Sequence, residues 1–159
     1  MRKGREFRNK PVIDEASGKV LGYVKDVKPG QDNIRIEGLY ATTLANELLF
    51  IPMENISSLG RDAVLVKDWF FSEKSDEGLN QSPNELTGAP VITLSGQSLG
   101  AIEDIVIEEK DGSIIGYEIT DGHLKDLLVG RRIVSSGFVL TYGEDAVILL
   151  DNGSIKQED

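Results

Sequence analysis

Cysteine is missing from all 159 residues, and histidine occurs once, as His123. The first absence excludes disulfides, thiolate metal sites and cysteine nucleophiles. The second excludes any site that needs two histidines from one chain. No run approaches the roughly 20 apolar residues of a membrane-spanning helix. The basic segment 1–10 is not followed by the apolar stretch of a secretory signal, so a cytoplasmic protein with no membrane span is expected. Basic residues are also few: 17 Lys and Arg stand against 27 Asp and Glu, a net charge of −10. That balance argues against broad binding to phosphate backbones, which needs clustered cations. With 40% hydrophobic and 28% charged residues, the composition is that of a folded chain. Its length suits one ordinary domain or two very small ones.

The charge is uneven. Residues 1–70 carry 11 basic and 10 acidic side chains, whereas residues 71–159 carry 6 and 17. Such asymmetry points to two parts with different surfaces. A repeat bears this out within the sequence. Glu6, Pro11, Val12 and Ile13 recur as Glu85, Pro90, Val91 and Ile92, at an offset of 79. The offset then becomes 78, pairing Gly18 with Gly96, Leu21-Gly22 with Leu99-Gly100, and Asp26 with Asp104. Near the end it is 83, where Gly60-Arg61-Asp62-Ala63-Val64 parallels Gly143-Glu144-Asp145-Ala146-Val147 and Asp68 parallels Asp151. Three blocks in one order are hard to obtain by chance.

Each copy reads as β-rich. Val12-Ile13 opens a short strand, and Ser17-Gly18 and Ser95-Gly96 are turn signals. Residues 20–27 and 98–107 read as half-buried strands. In the second, Leu99, Ile102, Ile105 and Ile107 lose the period of two once, which suggests a bulge near Gly100. Residues 29–33 and 109–112 look like hairpin turns. Further strands are expected at 48–52, 63–66, 113–119, 132–134 and 146–150, and a short helical turn at 123–128. Five or six short strands per copy suggest a small closed barrel, which removes exposed edges. The expected organisation is a first unit at 1–70, a linker at 71–83, a second unit at 84–153 and a tail at 154–159.

These residues resemble the PRC-barrel family. The carriers are Pro11-Val12-Ile13, Gly18, Leu21-Gly22 to Asp26 and Gly60 to Val64, and their counterparts from Pro90 to Val147. The resemblance implies an all-β fold of two tandem small PRC-like β-barrels with short helical turns. The family supplies the cytoplasmic domain of the photosynthetic reaction-centre H subunit. It also supplies the C-terminal domain of a bacterial ribosome-maturation factor, where it contacts a ribosomal protein. The chain shows neither the H subunit's transmembrane helix nor the maturation factor's separate N-terminal domain. The resemblance brings no common catalytic residues and implies a binding role.

Gly22 with Asp26 and Gly100 with Asp104 read as a structural motif, a bend followed by a carboxylate that accepts backbone N–H groups. A functional carboxylate is the alternative. Glu103, Asp104, Glu108, Glu109 and Asp111 form an acidic run, but a strand sends neighbours to opposite faces and gathers no metal cage. The run reads instead as a solvated face or a docking surface for a basic partner, with Glu103, Glu108 and Glu109 as contacts. Trp69, Phe70 and Phe71 either anchor a partner or pack between the barrels. His123, Ser57, Ser135 and Ser136 lack any motif that would assemble them for catalysis. Arg2, Lys3, Arg5, Arg8 and Lys10 form a basic arm that either touches RNA or an anionic membrane surface or is a disordered, solvated end; Phe7 is its only aromatic, so base stacking is poorly provided for.

The sequence therefore points to a non-enzymatic protein-binding adaptor with no catalytic residues, cofactor or metal. Its expected partner is a protein, of basic character if it meets the acidic second copy. An RNA-processing or ribosome-assembly accessory is the alternative, and pairing with a symmetric copy as a homodimer stays open.

Overall fold

The computed structural model describes residues 1–68, 73–74, 86–120, 132–151 and 155–157. The helical turn expected at 123–128 and the aromatic triplet Trp69, Phe70 and Phe71 lie outside them. The described chain is built from short strands and single 3-10 turns. In the first copy the strands are β1 (Arg2–Lys3), β2 (Pro11–Asp14), β3 (Val20–Pro29), β4 (Ile36–Thr43), β5 (Leu48–Pro52), β6 (Ile56–Leu59), β7 (Val64–Val66) and β8 (Glu73–Lys74). In the second they are β9 (Pro90–Thr93), β10 (Ser98–Glu108), β11 (Ser113–Thr120), β12 (Arg132–Ser135), β13 (Val139–Tyr142), β14 (Val147–Leu149) and β15 (Ile155–Gln157). The 3-10 turns fall at Gly4–Phe7, Met53–Asn55 and Ser136–Phe138.

The two sheets share one topology. The first runs β6-β7-β2-β3-β4-β5-β8 and the second β13-β14-β9-β10-β11-β12-β15. Each strand from β2 to β8 maps onto its repeat partner in the same place, whereas β1 has no counterpart and pairs with β10. The likeness extends to register. β2 pairs in parallel with β7, Val12 opposite Val64, just as β9 pairs in parallel with β14, Val91 opposite Val147. Gly38 faces Pro52 and Leu39 faces Ile51; Gly116 faces Ser135 and Tyr117 faces Val134. This is the all-β architecture expected of two barrel-like domains, but among the described residues each strand order is open, ending at β6 and β8 or at β13 and β15, so the closure expected to remove every edge is not seen in the pairing.

Local chemistry explains the shared bends. In the first copy the β2–β3 register slips at Leu21, between Val20 and Gly22. In the second the β9–β10 register slips at Leu99, between Ser98 and Gly100. The broken period near Gly100 was the signature of this bulge. Gly100 has φ of +125°, a conformation that side-chain-bearing residues avoid. A Cβ at Gly22 would instead fall on the carbonyl oxygen of Thr42, so there the requirement is for close strand approach.

By contacts, one compact unit comprises Met1–Glu85 with Ile107–Ile114, and the other Leu86–Val106 with Ile115–Asp159. The first has a core that includes Phe7, Val12, Val24, Ile36, Leu39, Ile51 and Val64. Within it, the Ile36 amide donates to the Gly112 carbonyl at 2.9 Å, and the Ile114 amide to the Ile34 carbonyl at 2.9 Å. These reciprocal bonds bracket an Arg35–Ser113 bridge. The second unit buries Val91, Ile102, Ile105, Tyr117, Ile119, Val134 and Leu149. Burial of such side chains is the main stabilising contribution in domains this small.

Candidate functional site

The repeated Gly…Asp motif is built into each β-bend. The Asp26 carboxylate accepts the Val27 amide at 2.9 Å, and the Asp104 carboxylate accepts the Ile105 amide at 2.8 Å. Both aspartates are buried. In the first copy, Asp26 follows a second register slip at Lys25 on the β3–β4 pair. A bulge leaves backbone groups without ladder partners, and a short acceptor one residue away satisfies them. Arg8 adds a 3.4 Å contact to Asp26 from a half-exposed position.

The acidic run is dispersed over local tasks. Asp104 is turned inward at the bend, whereas Glu103, Glu108 and Glu109 are half-buried. Glu109 accepts the Met1 ammonium at 2.6 Å and lies 3.7 Å from the Arg2 guanidinium. The hydrogen bond from that ammonium holds the Glu109 carboxyl below its ordinary range. Asp111 accepts the Ser113 amide at 2.9 Å in the turn, and hydrogen bonding from the Ser113 side chain, then from this amide, lowers its pKa as well. Among the described residues no group of three or more His, Asp or Glu could hold a metal ion.

The basic arm is folded rather than a loose end. Phe7 is fully buried, and Lys10 Nζ lies 4.9 Å from its ring centroid. Lys10 also donates to the Gly60 carbonyl at 3.4 Å. Partial burial, then the nearby Arg2 charge, lowers its pKa. Arg2, Arg8 and Lys10 thus each have a partner inside the first unit.

The serines are not assembled for nucleophilic chemistry. Ser57 donates to the Leu65 carbonyl at 3.1 Å in the first unit, whereas Ser135 caps a 3-10 turn in the second by accepting the Gly137 amide. His123 lies outside the described residues.

Three features escaped the sequence reading. The first unit has an open groove of about 590 Å³ beside Asp32, Arg35, Glu37, Met53 and Glu54. Its walls come from separate turns, so no contiguous motif announces it. Glu118 is fully buried at the register position that Tyr40 holds in the first copy. In the second unit, the Tyr117 and Tyr142 hydroxyls lie 2.9 Å apart, with the rings edge to face. Burial, reinforced by this hydrogen bond, pushes the Tyr117 phenol well above its ordinary pKa, and burial also raises that of Tyr142.

No helix among the described residues is long and apolar enough to cross a membrane. The PRC-barrel domain family matches residues 1–69 and again residues 82–150. Comparison with curated proteins returns no match.

Proposed function

The chain belongs to the PRC-barrel family, carrying two copies of its domain in tandem, and we propose that it is a non-enzymatic adaptor that binds other proteins through sheet edges and loops. One observation carries this reading. The two copies keep one strand order while their surface chemistry diverges, from near neutrality in residues 1–70 to an excess of 11 acidic groups in residues 71–159. A duplicated scaffold with differing faces suits two different contacts, because function sits in sites grafted on a fold. The acidic half is the one suited to a basic protein, since complementary charge speeds encounter and disfavours wrong partners. The cytoplasm is the compartment proposed for it.

The test is affinity capture with the full chain from cell lysate at low and high salt. Proteins of basic character are expected at low salt and are lost at high salt, where exposed charges are screened. Failure to retain any protein at low salt overturns the adaptor reading.

A further inference from the structure

The two copies differ most usefully at one sheet edge. Among the described residues, β6 and β13 are the terminal strands at equivalent ends of the two sheet orders. Both bulge at the same repeat position. The β6–β7 register slips at Ser57, and the β13–β14 register slips at Leu140. Bulges redirect side chains at sheet edges and are one protection against unwanted pairing. In the first copy the bulged residue is Ser57, whose hydroxyl is satisfied by the Leu65 carbonyl. In the second it is Leu140, which is 55% exposed and has no polar group to satisfy.

The next positions diverge the same way. Leu59 is buried, whereas its counterpart Tyr142 is 36% exposed. The Tyr117 hydroxyl holds the Tyr142 hydroxyl at 2.9 Å, so this aromatic is fixed before any partner arrives. β13 contains Val139, Leu140, Thr141 and Tyr142, with no charge and no proline to guard its edge. Just beyond it, Gly143-Glu144-Asp145 replaces Gly60-Arg61-Asp62, turning an Arg into a Glu. Glu144 and Asp145 are both exposed.

We propose that β13 is a docking edge for an extended, positively charged segment of a partner protein, which adds to the second sheet as a further strand. This rests on the adaptor reading and gives it a location. Strand addition draws affinity from main-chain hydrogen bonds and specificity from alternate side chains. Leu140 and Tyr142 supply the apolar contacts, and Glu144 and Asp145 select positive charge.

The probe is an octapeptide of alternating lysine and valine, with a glutamate–valine octapeptide as control. Each is titrated into the full chain while amide hydrogen exchange is followed residue by residue. Exchange at Thr141 and Tyr142 is expected to slow about tenfold or more with the lysine peptide and to stay unchanged with the control. Leu140→Ser and Glu144→Arg restore the first copy's residues at solvent-exposed positions. Leu140→Ser is expected to weaken binding about tenfold, the worth of one buried leucine. Glu144→Arg is expected to weaken it about threefold and to flatten its salt dependence. Unchanged melting of both variants verifies that they fold. Protection that maps away from residues 139–142 overturns the edge assignment and leaves the adaptor reading standing. So does failure of the lysine peptide to bind while lysate capture succeeds. Protection of β13 that grows with protein concentration and needs no peptide also overturns it, the occupant then being a second copy of this chain.

Discussion

Set side by side, the edge strands Ile56–Leu59 and Val139–Tyr142 show what duplication holds constant and what it releases. Their place in the sheet, their bulge and their partner strands are the same. Their side chains are not: a hydrogen-bonded Ser57 stands where Leu140 is exposed, and Arg61 stands where Glu144 follows. Backbone pairing is constrained by neighbours on both sides of a strand, because a one-residue slip would send every side chain to the wrong face. An edge side chain has no such neighbour. The family architecture therefore fixes the scaffold, and the edges and turns are where the copies acquire separate surfaces.

The largest expected effect tests the shared scaffold at its tightest points. An added Cβ at Gly38 would fall on the Ile51 carbonyl oxygen, whereas at Gly116 it would meet the Val134 carbonyl oxygen at 2.6 Å. Gly38→Ala is expected to cost about 3 kcal/mol and Gly116→Ala about 2 kcal/mol, since neither strand can yield without disturbing its ladder. Urea denaturation measures both. A harmless Gly38→Ala would mean that β4 and β5 do not approach as closely as the register requires.

Next come the repeated aspartates. Asp26→Ala and Asp104→Ala each strand a buried amide, at an expected cost of about 1–3 kcal/mol. Similar losses would show that the motif works alike in both copies. Arg8→Ala is expected to cost under about 1 kcal/mol, because that cation is half-exposed and its contact is long. A larger loss would show that the first copy leans on this charge pair.

The smallest effect concerns the turns after β2 and β9. Asp14 closes the first locally, accepting from Ser17 and Ala16. In the second, the Ser95 amide donates to Asp151, 56 residues away, and this bond lowers the Asp151 pKa. A depressed folded-state pKa contributes stability above the unfolded value, about 3.9 for Asp, and that contribution is lost as pH falls through the lowered value. Protection of the Ser95 amide, taken relative to its intrinsic exchange rate, is expected to fall below about pH 4 in the native chain. Asp151→Asn should remove that step and leave the turn at Asp14 unaffected.

Much of the architecture was legible from local pattern. β3, β5, β7, β10, β11, β12 and β14 carry apolar residues between turn signals, and the lost period near Gly100 marked a bulge. β4 was not legible: residues Gly38 to Ala41 are all buried, so the alternation that identifies a half-exposed strand is absent. Phe7 was hidden among five cations, which suggested a solvated arm, yet it lies in the core. Of the acidic contacts expected at Glu103, Glu108 and Glu109, the structure gives Glu109 a partner in the Met1 ammonium, a pairing 108 residues apart in sequence.

The duplication, the β character, the bends and the charge asymmetry can all be read along the chain. Each of these is written in spacing, turn chemistry or composition over a few residues. Long-range pairing places Ile107–Ile114 in the unit of the first copy, tethers Tyr142 to Tyr117 and leaves Leu140 exposed where Ser57 is satisfied. Those outcomes depend on which distant backbone groups meet, and strand pairing across long separations leaves no local period to read.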